Sequence, residues 1–193
     1  NRAEVERLSN GKLGYLFIRE MMMPDLEKFQ KEIYSLGKDK KGLVIDVRNN
    51  GGGWTSEYLL NMLSQETYGT SIPRGGKRTA SPFYRWSKPI IVLCNQYSYS
   101  DAEKFSHAIK SSGRGKIVGV PTPGAVIAVA AGPFLIDGSI FRIPWCGQYT
   151  QHGLNMENHG CIPDFVIENS PGDEASGSDR QLEIAVQMLM RYI

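Results

Sequence analysis

Gly42-Leu43-Val44-Ile45-Asp46-Val47-Arg48-Asn49-Asn50-Gly51-Gly52-Gly53 opens as a short β-branched run and ends in three glycines. Residues 42–47 have the composition of a strand covered on both faces, the pattern of a parallel sheet. Residues 54–64 carry Tyr58, Leu59, Met62 and Leu63 at helical spacing, and the spacing predicts a helix with those four facing inward. A buried strand, a glycine turn and a helix make half of a βαβ unit, and the rest of the chain keeps the same rhythm.

Upstream, residues 12–18 read as a strand. Pro24 and Asp25 then open a helix with Leu26, Phe29, Ile33 and Leu36 on one face, closed by Gly37. Downstream, residues 65–88 hold Pro73, Gly75, Gly76, Pro82 and five basic side chains without periodicity, and read as a long surface excursion. Residues 89–94 are another buried strand, residues 101–111 a helix ended by Gly113, and residues 116–120 a further strand. Helical signals vanish from 122 to 167, and the Gly/Ser/acidic stretch 170–178 reads as loop. A last helix over 179–192 buries Leu182, Ala185, Val186 and Leu189. The expected fold class is α/β: one open, mostly parallel sheet covered by helices, with a β-rich C-terminal part.

Composition narrows the function classes. The 193 residues are 41% apolar and 22% charged, with Lys+Arg 22 against Asp+Glu 20 and a net charge of +2. That balance does not point to nucleic acid or an anionic membrane, and no apolar stretch approaches the roughly 18 residues of a membrane span. Cys94, Cys146 and Cys161 cannot all pair and show no C-x-x-C spacing, which argues against a disulfide framework and a cysteine-based zinc site. The chain opens on Asn1 without a signal peptide and reads as an excised piece of a longer protein.

Three stretches carry candidate chemistry. The Gly51–Gly53 turn can present backbone N–H groups at a helix start to a phosphate or a developing oxyanion, or can simply be a strand-to-helix turn. Ser100 stands at the carboxyl end of a buried strand, where open α/β sheets bind ligands. Its spacing to Glu103 is also that of a capping box, so nucleophile and cap are both open readings. No Gly-x-Ser-x-Gly elbow is present. Glu157 lies in a turn-rich stretch where a carboxylate orients a base, binds an amine, or is merely solvated. His107 is two helical turns beyond Ser100, about 10 Å away, too far to be its base. His159 is near Glu157 in sequence; it and His107 read as surface or structural histidines.

In order along the chain these stretches resemble peptidase family S41. Residues 42–53 resemble its Asp-x-Arg-x-Asn-Gly-Gly-Gly signature, and Ser98-Tyr-Ser-Asp-Ala-Glu103 its nucleophile motif, in which the serine precedes the Glu by three. Gly113-Arg-Gly-Lys-Ile-Val-Gly119 and Thr122-Pro-Gly124 follow in place. Glu157-Asn-His-Gly-Cys-Ile-Pro-Asp164 is similar to the family's Glu-Asn-x-Gly-Val-x-Pro-Asp, and Asp179-Arg-Gln-Leu182 to its last helix. Ala125 stands where the C-terminal processing branch has its dyad lysine, so the tricorn branch, with a Ser-His-Ser-Glu tetrad, is the better match.

The resemblance implies an α–β–α core of the ClpP/crotonase type, forming one domain over residues 1–193, with the PDZ and upstream domains outside it. It implies Ser100 as nucleophile and Glu157 as the tetrad glutamate, with an oxyanion and substrate site at Gly52, Gly53, Asp101, Ala125, Val126 and Ile127. The donors would be the Gly53 and Asp101 amides, and a substrate strand would lie along 125–127. The general-base histidine would lie outside this chain, leaving the isolated piece nearly inert. No cofactor or metal is implied. The implied partners are a peptide or unfolded polypeptide substrate and, in the full-length protein, further copies of itself; nucleic acid and a membrane span are not. Tricorn analogy implies a cytoplasmic location, with an extracytoplasmic one the alternative. Two rival readings are a crotonase-type acyl-CoA enzyme, which needs the glycines but neither Ser100 nor Glu157, and a peptidase relative that binds peptides without cutting them.

Overall fold

The computed structural model describes residues 1–36 and 39–193. Its centre is a five-stranded sheet, β1 (Leu13–Phe17), β2 (Gly42–Asp46), β5 (Ile90–Cys94), β6 (Lys116–Gly119) and β9 (Phe165–Val166), in that order across the sheet. All four pairings are parallel, with Leu13 opposite Gly42, Leu43 opposite Ile90 and Ile91 opposite Lys116. Every step across the sheet goes the same way, so right-handed crossovers stack their helices on one face. There α2 (Met23–Leu36), α3 (Ser56–Ser64) and α4 (Asp101–Ser111) pack Phe29, Ile33, Leu59, Phe105 and Ile109 against Leu16, Ile45 and Val92. On the other face α1 (Arg2–Leu8) and α6 (Arg180–Met190) cover Tyr15, Val44, Ile91 and Val118 with Val5, Leu182, Ala185, Val186 and Leu189. With both faces covered, β2 and β5 are buried at every residue, as their unbroken apolar runs predict. The parallel arrangement also gathers the loops after β1, β2, β5 and β6 at one end of the sheet.

The remaining strands stand apart as two antiparallel pairs, β3 (Gly69–Ser71) with β4 (Thr79–Ser81), and β7 (Ala128–Phe134) with β8 (Ile140–Cys146). The second pair leaves Phe134, Phe141 and Trp145 exposed.

Four features depart from the sequence expectation. Tyr58 does not face inward: it is 53% exposed and meets Trp54 edge to face, while Leu59, Met62 and Leu63 are buried as predicted. The 65–88 excursion contains the β3–β4 hairpin and ends on Trp86, which is fully buried under β5. The stretch 170–178 is not all loop, because Pro171–Ser176 forms a short helix, α5. Its Ser170–Asp173 capping box and Pro at the first turn start it, and left-handed Gly177 stops it; it buries nothing, so no apolar period announced it. Helix α1 is the fourth: with one buried residue, Val5, it shows no apolar period in the sequence. The expected helix stop at Gly37 lies outside the described residues.

One polar clamp ties α6 to the sheet. The Arg48 guanidinium, 8% exposed, bonds both oxygens of Asp46 (3.0 and 2.7 Å) and both of Asp179 (2.8 and 2.7 Å), and reaches Gln181 Oε1 at 3.0 Å. The Tyr15 hydroxyl donates to Asp46 Oδ2 at 2.8 Å. Asp179 is also the N-cap of α6, accepting from Leu182 N. Burial alone would raise the Asp179 carboxyl; its hydrogen bonds and charge pairing with Arg48 outweigh that and hold it below the ordinary carboxylate value.

Asp179→Asn keeps an N-cap acceptor but removes the charge facing Arg48, and the expected loss is about 1.5–3 kcal/mol. Because the native carboxyl is depressed, this contribution is fully present above the unfolded pKa of about 3.9 and fades as pH falls through the lower native value. Denaturant titrations of wild type and D179N therefore differ equally from pH 7 to about pH 5 and converge below about pH 4.

Candidate active site

Two strand-to-helix junctions lie side by side at the carboxyl end of the sheet. The first leaves β2 through Val47–Gly53 to α3; the second leaves β5 through Asn95–Ser100 to α4. Their backbones are tied directly. Tyr99 N donates to Asn50 O at 2.8 Å, and the Ser98 hydroxyl donates to Val47 O at 2.8 Å. Asn49 and Asn95 exchange two hydrogen bonds of 3.0 Å. The Asp101 carboxylate, at the first turn of α4, accepts from both the amide and the hydroxyl of Ser56, the first residue of α3 (2.9 and 2.7 Å). One buried carboxylate thus satisfies an orphan N–H of one helix start while belonging to the other.

Only a glycine fits at 52. A Cβ there would stand 2.7 Å from Ser100 Cβ and 3.2 Å from Asp101 N, and φ is +91°. At 53, with φ +146°, a Cβ would strike Met21 O at 2.0 Å. The chain is drawn in there because Trp54 N donates to Met21 O at 2.8 Å, and Met21 N to Gly52 O at 2.9 Å. Buried Asn50 steadies the turn from within, accepting from Gly52 N and donating to Ile18 O, each at 2.8 Å.

Ser100 sits in this contact, half-buried, with φ 53° and ψ −115°. A non-glycine residue in that region carries backbone strain of about 1–3 kcal/mol, and such outliers collect at functional sites. The sequence lacks the glycine-flanked elbow, yet the backbone at Ser100 makes a sharp strand-to-helix turn. Ser100 and Glu103 form the capping box that their spacing allows: Glu103 Oε1 accepts from Ser100 N at 3.0 Å, and Glu103 N lies against Ser100, donating to its carbonyl at 3.0 Å. Among the described residues no imidazole bonds Ser100 Oγ, and the amides of Gly53 and Asp101 donate to no protein acceptor.

The other predicted site residues divide. The N–H of Gly52 bonds Asn50 Oδ1 and is not offered to a ligand; its contribution is the missing side chain. The amides of Val126 and Ile127 both donate to Glu157 Oε2 (2.9 and 2.7 Å), and that of Ala125 to Glu103 Oε1 at 2.8 Å. The Val126 side chain is buried. This stretch therefore cannot give amide donors to a substrate strand, and Glu157 is brought to 126–127 rather than left in solvent. His159 points its Nδ1 at Glu157 O (2.9 Å) and is exposed. His107, its pKa lowered by burial and by Lys110, shares a separate cavity of about 450 Å³ with His152 and Cys161. Burial pushes the Cys161 thiol up to about 12 and the Cys94 thiol higher, so neither is a thiolate nucleophile. Sequence reasoning missed the Asp101 side chain and Trp54, which stands 54% exposed beside Gly53. An acidic residue opening a helix was a visible signal for the first.

This architecture has known counterparts. Residues 12–167 match the profile of Peptidase family S41. The tricorn protease of Thermoplasma acidophilum is 34% identical over 194 residues, covering 100% of this chain and 18% of that protein. Tricorn protease homolog 1 of Streptomyces coelicolor is 34% identical over 190 residues, with 98% and 18% covered. The crystal structure of the tricorn protease superposes with a TM-score of 0.90 at 34% identity, over 99% of this chain and 19% of that one. The chain thus spans about a fifth of the length of these relatives. A parallel-sheet core of this shape, matched by family and by structure across nearly its whole length, belongs to peptidase family S41.

Proposed function

We propose that this chain is the core of a tricorn-type serine endopeptidase that hydrolyses peptide bonds of peptides or unfolded polypeptides, with Ser100 as nucleophile. The observation that carries the reading is the pair of undonated amides, Gly53 and Asp101, at two helix starts held together around a strained serine. Ser100 Oγ attacks the scissile carbonyl as its proton passes to an imidazole contributed from beyond this chain. Negative charge grows on the carbonyl oxygen, and the two amides, one shortly before α3 and one at the first residue of α4, meet it there. The Oγ–carbonyl bond forms, the imidazolium returns its proton to the leaving amine, and water then releases the acyl group. Glu157, held by the amides of Val126 and Ile127, orients the imidazole through the tetrad's second serine. The exposed Trp54–Tyr58 pair, 6.2 Å between rings, forms an apolar wall on the Gly53 side for a substrate side chain.

In the full-length parent enzyme a fluorophosphonate is expected to label Ser100, and Ser100→Ala to abolish both labelling and peptide cleavage. Turnover of CoA esters with no label at Ser100 would instead favour the acyl-CoA reading, and peptide binding without turnover the inactive one. Glu157→Gln is expected to lower kcat by about 10²–10⁴, by analogy with removing the orienting acid of a triad. Gly52→Ala drives a Cβ into Ser100 and is expected to cost about 1–3 kcal/mol of stability together with most of the labelling rate, read by denaturation and by probe kinetics on the same sample.

A further inference from the structure

Glu103 is 0% exposed and its carboxylate is saturated. Oε1 accepts from Ser100 N at 3.0 Å and Ala125 N at 2.8 Å; Oε2 accepts from Thr122 Oγ1 at 2.7 Å and Gly124 N at 2.6 Å. All four partners are donors, which suits a carboxylate and no neutral side chain of that length. A helix cap needs only the first of the four. The other three reach across about twenty residues of sequence to the loop after β6.

That loop is itself locked to the segment carrying Glu157. Gly124 O accepts from Asn158 N at 2.7 Å, Thr122 Oγ1 from Cys161 N at 2.7 Å, and Thr122 N donates to Cys161 O at 3.1 Å. The packing is close: a Cβ on Gly124 would stand 2.6 Å from His159 N, and one on Gly160 2.4 Å from Thr122 O. Two residues further on, Val126 and Ile127 hold the Glu157 carboxylate. Hydrogen bonds through Glu103, and the backbone of residues 122–127 that they hold, therefore link the Ser100 amide to Glu157.

We propose that Glu103 is a positioning residue whose buried carboxylate sets the Ser100 turn at a fixed distance from the Glu157 segment, so that nucleophile and orienting acid share one rigid frame. This rests on the peptidase reading above. Glu103→Gln tests it, because the isosteric amide would turn its NH₂ toward two of the four donors and break the bridge on one side. The measurements are the second-order rate of fluorophosphonate labelling at Ser100 in the full-length enzyme, kcat and KM for a peptide, and amide exchange over 122–127. Asp179→Asn, destabilising but at a residue that bonds neither Ser100 nor Glu103, serves as the control.

The expected result is E103Q labelling about a hundredfold slower per folded molecule, with kcat reduced and KM little changed, while D179N labels as wild type. The amides of Val126 and Ile127, which touch Glu157 and not Glu103, exchange faster in E103Q. E103Q labelling within about threefold of wild type would overturn the proposal, and so would unchanged protection at 126–127. Should E103Q fail to fold, Thr122→Val removes the hydroxyl that donates to Glu103 and accepts from Cys161 N, leaving the carboxylate in place; about tenfold slower labelling is then expected, and a wild-type rate overturns the proposal. A wild-type enzyme that never labels at Ser100 would sink the peptidase reading itself, a result distinguishable from slow labelling confined to the variants.

Discussion

Two turns must touch, and they can do so only because residue 52 has no side chain. The distance from its Cβ position to Ser100 Cβ, 2.7 Å, is shorter than any real carbon contact there would allow. Around that contact the structure concentrates its most specific polar interactions. The Tyr99–Asn50 backbone bond sets the spacing, the Asp101 carboxylate joins the starts of α3 and α4, and Glu103 holds the amide of the strained serine. The Asp101 and Glu103 carboxylates are buried, and hydrogen bonds to charged groups contribute about 1.5–3 kcal/mol, enough to offset the strain at Ser100. The parallel sheet supplies the setting, since adjacent parallel strands end side by side and deliver both junctions to the same place.

The signature between 42 and 53 divides into two parts beyond the end of the strand. Asp46 and Arg48 face α6 and Tyr15, and join a structural clamp whose other half is Asp179, more than a hundred residues away. Asn50, Gly52 and Gly53 face the Ser100 turn. One short motif thus secures the last helix on one side of the sheet and shapes a site at its end. The same holds for Gly113-Arg-Gly, where Arg114 donates to Leu63 O, Trp86 O and Lys88 O, fastening α3 to the long excursion far from Ser100.

Strand and helix identities were legible wherever burial imposed a period: 13–17, 42–46 and 90–94 as apolar runs, and α2, α4 and α6 as faces of Leu, Ile, Phe and Val. Helix α1, which buries only Val5, and α5, which buries nothing, carry no such mark, and the outward turn of Tyr58 is not legible because an aromatic at helical spacing looks the same in a core and on a surface. At the site, the glycines and Ser100 were legible as positions. What could not be read from spacing was which N–H groups are already used. The amides of Gly52, Val126 and Ile127 are engaged by side chains from 2 to 31 residues away, and only coordinates reveal that. Glu103 was legible as a cap, and its other three partners were hidden in a loop twenty residues further on.

The proposed chemistry requires the Gly53 and Asp101 amides to face one point in space, the position of a carbonyl oxygen bonded to Ser100. A crystal structure of the full-length enzyme with a peptidyl aldehyde tests it most directly. The expected adduct is a hemiacetal on Ser100 whose oxygen lies about 2.7–3.1 Å from both amide nitrogens. An adduct on another residue, or a hemiacetal oxygen turned away from either amide, would contradict it.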